Sequence, residues 1–230
     1  MQLTKINILE GKIKLVTGLH IGAGNEAIEI GGLDQPIIKH PITQEPYIPG
    51  SSIKGKMRSL LEIYLGKSTD GKPCSCGKPD CPICPLFGVG GSEKVEFEGP
   101  TRIVVRDSFM TDEWKEKFGN GELTMEVKYE NTIDRIKGTA DNPRPLERIP
   151  SDVDFEFSIS VKEFDIDNGI NHIDTVLAGL AMIEEDGLGG NVSRGCGQVK
   201  FEGLKINEED LGDDWKKDAL SKLEELRKRG

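Results

Sequence analysis

Five glycines occupy the eleven positions from Gly187 to Gly197, and this segment separates a helical pattern from a strand pattern. Glycine allows backbone N–H groups to approach a phosphate closely, because it has no side chain and tolerates left-handed conformations. A dinucleotide-binding fold needs the opposite order, with a strand before the loop and a helix after it. The order excludes a Rossmann fold, and a structural turn would explain only some of the glycines. We therefore predict phosphate or RNA-backbone binding by this loop, through Gly189, Gly190, Arg194 and Gly195.

Alternation of apolar and polar residues predicts the strands. The clearest case is Val153–Val161, where every second residue is apolar, as expected for a half-buried strand. A first strand region is predicted over Ile6–Thr17, which Gly11 can interrupt. Shorter strands are predicted over Arg102–Val105 and Gln198–Phe201.

Apolar residues at helical spacing predict three helices. The first begins at Ser51 or Ser52, either of which can cap it, and carries an apolar stripe from Ile53 to Leu65. The others cover Ile173–Ile183 and the charged terminal segment Trp215–Arg229. The order strand, helix, strand, insertion, strand, helix, strand predicts an α+β, ferredoxin-like sandwich with insertions.

A cysteine-rich insertion spans residues 66–100, and four of the five cysteines lie close together in it, at Cys74, Cys76, Cys81 and Cys84. Closely spaced thiolates on a turn-rich loop supply the four soft ligands of a tetrahedral zinc site. Disulfides and free thiols are the alternatives, and a histidine could replace one member of the tight Cys-x-Cys pair. No histidine or glutamate that would activate water accompanies the cluster, so we predict a structural Zn²⁺.

The start of the first predicted helix carries three cations, Lys54, Lys56 and Arg58, that lie off the apolar stripe. Free N–H groups at a helix start attract anions, and nearby cations add to this attraction. The pattern predicts contacts with an RNA backbone, although an ordinary capped surface helix has the same composition.

The net charge of −10 at first argues against a nucleic-acid partner. However, residues 151–186 contain ten acidic residues and one basic residue, whereas residues 1–69 contain eight basic and six acidic residues. An acidic surface on one side leaves another face that can bind RNA. No apolar run approaches the length of a bilayer span and no signal-peptide pattern is present. We therefore expect a cytoplasmic protein without a membrane partner.

Four motifs follow one another along the chain: Gly18-Leu-His-Ile-Gly22, Tyr47-Ile-Pro-Gly-Ser-Ser-Ile-Lys-Gly-Lys-Met-Arg58, Glu130-Asn-Thr-Ile-Asp-Arg135 and Gly189-Gly-Asn-Val-Ser-Arg-Gly-Cys-Gly197. In this order they resemble the motifs of the RAMP superfamily of CRISPR proteins. The resemblance is closest to the repeated backbone subunit of the type III-A (Csm) effector complex.

The resemblance implies one RAMP domain over residues 1–230, with a palm related to RNA recognition motifs and a thumb hairpin inserted at 122–149. It implies four kinds of partner: CRISPR guide RNA, complementary target RNA, other copies of the chain in a filament, and other Csm subunits. In this family the thumb interrupts guide–target pairing at regular intervals. We accordingly predict an RNA contact for Arg135 in the thumb, with Ile133 or Ile136 as a wedge. His20 is predicted either to contact RNA or to pack inside the fold.

The resemblance also implies a catalytic carboxylate in the loop after the first strand, which is Asp34 here. An exposed carboxylate beside Gly31 and Gly32 can hold Mg²⁺ or another divalent cation near a scissile phosphate. RNA supplies its own nucleophile, the 2′-hydroxyl, so one aspartate and a distorted target strand would be sufficient. The residues alone favour the alternative that Asp34 stabilises a turn beside Pro36, and the family resemblance reverses this preference.

Three other functions compete with a metal-dependent endoribonuclease subunit. A non-catalytic scaffold would bind RNA and would need no carboxylate at Asp34. A zinc-containing RNA-binding module outside CRISPR systems would bind as a discrete monomer. A repeat-processing ribonuclease of the same superfamily is disfavoured, because such enzymes usually depend on histidine and His20 has no evident partner in the sequence.

Overall fold

The computed structural model describes residues 1–24, 35–68, 70–90, 95–167 and 170–229. These residues form a mixed α+β fold. Its strands are β1 (Leu3–Leu15), β2 (Tyr47–Ile48), β3 (Ile103–Val105), β4 (Ser108–Met110), β5 (Glu126–Ile133), β6 (Ala140–Arg148), β7 (Asp154–Phe164), β8 (Val199–Ile206) and β9 (Glu209–Asp210). Its helices are α1 (Gly50–Tyr64), α2 (Cys84–Phe87), α3 (Asp112–Gly119), α4 (His172–Asp186) and α5 (Trp215–Arg229). A 3-10 turn covers Val192–Arg194.

Two antiparallel sheets are present among the described residues. The larger has the order β2-β4-β7-β1-β8-β9, with β3 also pairing with β7. The strands β5 and β6 form a separate hairpin. Within the described ranges, no helix is both long enough and apolar enough to cross a bilayer.

The strand β1 lies at the centre of the larger sheet and pairs with β7 on one side and β8 on the other. The predicted interruption at Gly11 occurs only on the β8 side, where the register shifts between Glu10 and Lys12, while Gly11 stays paired with Phe157 of β7. A Cβ atom at Gly11 would lie 2.9 Å from the carbonyl oxygen of Glu202. Glycine is therefore required because β8 approaches too closely for a side chain.

One face of this sheet forms the core beneath α1 and α4. The alternation predicted for β7 is confirmed, since Phe155, Phe157, Ile159 and Val161 are all buried. The helical stripes are also confirmed by a common set of buried residues: Ile53, Met57 and Leu61 of α1, and Val176, Leu180 and Ile183 of α4. Truncating such a residue to alanine typically costs about 2–5 kcal/mol of the free energy of unfolding.

A buried ion pair joins the end of the cysteine-rich insertion to the β7–α4 connection. Arg102 is 2% exposed. Its Nε and Nη2 atoms donate to Asp167 Oδ1 at 3.0 and 2.6 Å, and its Nη1 donates to the carbonyl oxygens of Glu98 and Pro100 at 3.0 and 2.7 Å. The guanidinium also lies 4.9 Å from the centre of the Phe164 ring. The Arg102 side chain therefore connects these two segments of the chain.

We expect Arg102→Ala to lower the free energy of unfolding by about 3–5 kcal/mol, because it leaves the buried Asp167 carboxylate unpaired. Urea denaturation would measure the change. The matched control is Lys115→Met, which removes an exposed ion pair with Asp112 and should cost less than about 1 kcal/mol. Equal effects of the two substitutions would contradict the assignment.

His172 lies beside this pair at the start of α4, and it is buried. Its Nε2 is 3.9 Å from Asp167 Oδ2, and neither ring nitrogen has a hydrogen-bond partner among the described residues. Burial lowers the pKa of His172 below its ordinary value; Asp167 and Glu163 oppose this shift, whereas Arg102 reinforces it. The imidazole is therefore neutral in the folded protein at pH 7.

This lowered pKa predicts a loss of stability in acid. Below pH 6.5, the ordinary pKa of the imidazole, the unfolded chain takes up a proton that the folded chain does not. The free energy of unfolding should then fall by at most about 1.4 kcal/mol per pH unit, until the folded-state pKa is reached. Denaturation from pH 7.5 to 5.5 should show a shallower loss for His172→Gln than for the unaltered protein. Identical slopes would contradict the prediction.

Candidate functional site

The four predicted metal ligands converge. The Sγ atoms of Cys74, Cys76, Cys81 and Cys84 all lie within 4.8 Å of one another. Three pairs are 3.7–3.9 Å apart, close to the ~3.8 Å edge of a tetrahedron with metal–sulfur bonds of about 2.3 Å. All four thiols are free, so the disulfide alternative is wrong, and the cluster consists of cysteines alone.

The environment of these thiols fits a bound cation. Burial raises the pKa of Cys81 to about 11 and also raises the pKa of Cys84. Deprotonating several buried sulfur atoms in one small volume is unfavourable unless a metal ion balances their charge. Four protein ligands would complete a tetrahedral ion and leave no open position for substrate, which is typical of a structural site.

The loop that carries the four cysteines is attached to α1 by Glu62. This buried carboxylate accepts the backbone N–H of Cys74 at 2.9 Å and Nε of Arg58 at 2.7 Å. Nη2 of Arg58 in turn donates to the carbonyl oxygen of Cys74 at 2.9 Å. Arg58 thus holds the insertion against the helix, and its contact with an RNA backbone stays a prediction.

The start of α1 differs from its prediction. The helix begins at Gly50, one or two residues before the predicted cap, and neither Ser51 nor Ser52 caps it. The N–H of Gly50 donates to Asp107 Oδ1 at 2.8 Å. The cap prediction is wrong because a carboxylate from a distant part of the chain occupies this position. That N–H group is consequently not free for a phosphate.

The two predicted lysines of α1 have different surroundings. Lys56 forms an ion pair with Asp186 at the end of α4. Lys54 has no salt bridge among the described residues, and burial followed by repulsion from Arg58 lowers its pKa. Lys54 is therefore the member of the predicted set whose ammonium group has the most to gain from an anionic ligand.

The glycine loop is built largely by internal contacts. Gly189 has a φ of +78°, and a Cβ atom there would lie 3.1 Å from side chains of Leu19 and Ile21. The N–H of Gly190 donates to the carbonyl oxygen of His20 at 2.8 Å. The positive φ and the close packing explain why glycine stands at position 189, and the Gly190 amide is already used; contacts of these two residues with RNA stay predictions.

Arg194 links the glycine loop to the β5–β6 hairpin while remaining 56% exposed. Its guanidinium pairs with Glu130 of β5 and hydrogen-bonds to Asn191. Lys128 of β5 donates from Nζ to the carbonyl oxygen of Arg194 at 2.5 Å. The structure thus brings together two of the four ordered motifs, and Gly195 follows Arg194 at the edge of this contact.

The base of the hairpin is fixed by a second contact to the same loop. Arg148 donates from Nε and Nη2 to both carboxylate oxygens of Glu126, at 2.8 and 2.7 Å. Its Nη1 lies 3.6 Å from the sulfur of Cys196, which is buried. This hydrogen bonding from Arg148 lowers the pKa of Glu126.

The far end of the hairpin is exposed. Arg135 lies in the turn between β5 and β6 and donates from Nη1 to the carbonyl oxygen of Ile133 at 2.5 Å. Ile136 is 97% exposed, and the side chain of Tyr129 in β5 also faces solvent. Such apolar groups beside a cation are suited to contact with an unstacked base.

His20 is packed inside the fold, with 8% exposure. Its Nδ1 lies 2.7 Å from the carbonyl oxygen of Glu147 in β6. His20 is therefore packed inside the fold, which was one of its two predicted roles. A direct contact of His20 with RNA remains a prediction. Asp34 lies outside the described residues, directly before Gln35 in the sequence.

The roles of three acidic residues that organise this region were not predicted from the sequence, although Glu130 is the first residue of one of the four motifs. Asp107 caps α1, Glu130 pairs with Arg194, and Glu147 contacts the segment after Asp34. Each is an isolated acid in a polar stretch, and its partner is distant in the chain. No spacing rule would identify it.

The RAMP superfamily model matches residues 12–200, which includes all four motifs and both helices of the core. This chain belongs to the RAMP superfamily. Among curated relatives of this RAMP chain, the CRISPR system Cms endoribonuclease Csm3 of Methanothermobacter thermautotrophicus is 46% identical over 222 residues, covering 90% of this chain and 88% of the relative. The protein of the same name from Methanocaldococcus jannaschii is 39% identical over 206 residues, covering 86% and 79%.

A solved structure resembles the RAMP chain over nearly its full length. It is the Csm3–Csm4 subcomplex of the type III-A CRISPR-Cas interference complex. The match has a TM-score of 0.60 and 27% identity, and it covers 98% of both chains.

Removing the metal should loosen the cysteine-rich insertion of this RAMP protein. We expect Cys81→Ser to lose most of the bound metal, measured by elemental analysis, and to make residues 66–100 sensitive to limited proteolysis. Cys196→Ser is the matched control, because it removes a buried thiol outside the cluster. Equal metal content in the two variants would contradict the site.

Proposed function

We propose that this chain is a guide-RNA-binding backbone subunit of a type III-A CRISPR interference complex that cleaves complementary target RNA. The observation that carries the proposal is 46% identity to a Csm3 endoribonuclease over 90% of the chain. The similarity to the Csm3–Csm4 subcomplex supports other Csm subunits as partners. Other copies of the chain would extend the backbone into a filament, as the RAMP resemblance implies.

The sheet supports the proposed ferredoxin-like palm. Its central strands have the order β8-β1-β7-β4, all pairs are antiparallel, and α1 and α4 pack on one face. This strand order supports an assignment of the palm to two β-α-β units of a split βαβ fold. The β5–β6 hairpin falls within the predicted insertion at 122–149 and is our candidate for the thumb.

The proposed guide-RNA surface runs from the glycine loop to the basic side of α1. We assign backbone contacts to Arg194, Lys54 and Lys56, and a thumb contact to Arg135. Two of these cations are already paired, Arg194 with Glu130 and Lys56 with Asp186. A phosphate would therefore have to compete with a carboxylate, and such binding should weaken strongly with salt.

For catalysis we propose Asp34 as the carboxylate that holds Mg²⁺ or another divalent cation. The ion would neutralise charge that develops on the scissile phosphate. The 2′-hydroxyl of the target would attack the adjacent phosphorus and lose its proton to solvent. A 2′,3′-cyclic phosphate would form, and the 5′-oxygen of the next nucleotide would leave and take up a proton from solvent. The hairpin would displace a target base, so that this hydroxyl aligns with the leaving oxygen.

At the cysteine cluster we propose Zn²⁺. Four thiolates at tetrahedral spacing are the donor set that this ion prefers in structural sites. Its role would be to order the insertion beside α1 and not to participate in cleavage.

The experiment compares the assembled complex containing the unaltered subunit with one containing Asp34→Ala, using a labelled complementary RNA in Mg²⁺ and in EDTA. We expect regularly spaced cuts that Asp34→Ala slows by about 100-fold or more, since metal-linked stabilisation of charge is worth several kcal/mol. Target binding should persist. The matched control is Asp213→Asn, an exposed acid before α5.

Unchanged cutting by Asp34→Ala would remove this residue from the mechanism. Absence of cutting by the unaltered complex, with target still bound, would favour the scaffold function.

A further inference from the structure

Glu147, near the end of β6, is a buried carboxylate that connects the hairpin to the segment after Asp34. It is 6% exposed. Its Oε2 accepts the backbone N–H of Ile37 at 2.9 Å, and its Oε1 accepts Nζ of Lys39 at 2.6 Å. Its own backbone N–H donates to the carbonyl oxygen of Gln35 at 3.2 Å. One residue of the hairpin therefore contacts three of the five positions that follow Asp34.

The contacted segment is one arm of a short antiparallel stem. The N–H of Ala23 donates to the carbonyl oxygen of Pro36 at 3.1 Å, and the N–H of Ile38 donates to that of Ile21 at 2.8 Å. Residues 25–34 connect the two arms in the sequence. Between the described residues of the two arms, the bonds from Ala23 and Ile38 are the backbone hydrogen bonds, and the contacts from Glu147 add to them and to the burial of Ile37.

Glu147 is also coupled to the other arm. Its carbonyl oxygen lies 2.7 Å from Nδ1 of His20, the residue before Ile21. The neighbouring residue Arg148 is paired with Glu126 of β5. Glu147 therefore connects the hairpin base to both arms of the stem, in addition to the two backbone hydrogen bonds that Leu19 exchanges with Ile149.

The hydrogen bond from Lys39 to Glu147 is charge-assisted. A buried carboxylate that accepts from an ammonium group makes a charge-assisted hydrogen bond, roughly twice as strong as a neutral one. Losing the carboxylate would leave the N–H of the buried Ile37 without an acceptor, whereas the ammonium group of Lys39, which is 29% exposed, would lose its ion pair to water. These contacts would fix the distance and the angle between the hairpin and the segment after Asp34.

We propose that Glu147 is a positioning residue for target cleavage, which holds the exit of the Asp34 segment in register with the hairpin. The role rests on the proposed function. The hairpin determines where the target strand is distorted, and Asp34 supplies the carboxylate, so cleavage requires a fixed relation between them. A misplacement of about 1 Å can cost about 100-fold in rate.

The test uses the assembled guide complex with saturating labelled target RNA. We expect Glu147→Ala to slow single-turnover cleavage by about 10- to 100-fold, with the target Kd changed less than about 2-fold. Glu147→Gln should be intermediate, since its amide oxygen can still accept the N–H of Ile37. Lys39→Met should also be intermediate, since the Ile37 contact remains.

The matched control is Glu184→Ala. Glu184 has the same pattern of contacts in another part of the fold: it accepts the backbone N–H of Phe201 at 2.6 Å and pairs with Lys216 at 3.1 Å. It should match Glu147→Ala in stability loss but leave the cleavage rate unchanged. The comparison separates positioning from a general effect on folding.

Cleavage by Glu147→Ala at the unaltered rate, while Asp34→Ala is inactive, would overturn the positioning role and leave the proposed function standing. A fall in target affinity that matches the fall in rate would also overturn it. If Glu147→Ala fails to assemble, the Glu147→Gln and Lys39→Met rates decide in its place. Normal cleavage by Asp34→Ala would instead refute the proposed function itself.

Discussion

The candidate site depends on how the chain leaves the central strand β1. Residues 15–20 make backbone hydrogen bonds to both neighbours: Leu19 exchanges two with Ile149 after β6, and Gly18 accepts one from Gly197 before β8. The same sheet pairing that buries the core therefore brings the hairpin and the glycine loop to one end of β1. The hairpin and the glycine loop are about fifty residues apart in the sequence. At this separation their contact cannot be predicted from the sequence without knowledge of the sheet order.

The elements that the sequence predicted are those with a repeated pattern. The strand β7, the helices α1 and α4, and the terminal helix α5 each repeat an apolar spacing several times, and α5 has the predicted bounds. The strands β2 and β4 and the helix α3 are too short to show a period, so their positions depend on pairing with β7 and its neighbours. The cysteine cluster was predictable because metal ligation requires its members to be close in space and here they are close in sequence.

The hydrogen-bond and ion-pair partners of the charged groups could not be predicted from sequence spacing. The glycine-rich composition of the loop predicted a phosphate-binding site. The same composition is also needed where a backbone packs closely against its own chain. Gly189 and Gly190 pack against residues 19–21. Similarly, the start of α1 has the composition of an anion site, but the carboxylate of Asp107 already accepts the N–H of Gly50. A helix start needs an acceptor, and the fold can supply one from anywhere.

These internal carboxylates change how an acidic chain can present cations to RNA. With a net charge of −10, the protein repels a polyanion at long range. Yet Glu130 holds Arg194 between the hairpin and the loop, and Asp186 holds Lys56 beside α1. Each pair fixes a cation in a defined place at low entropic cost, and each weakens its attraction for a lone phosphate. Binding should consequently favour a long RNA that engages several such cations at once over short fragments, because the competition with carboxylates is overcome only when many contacts form together.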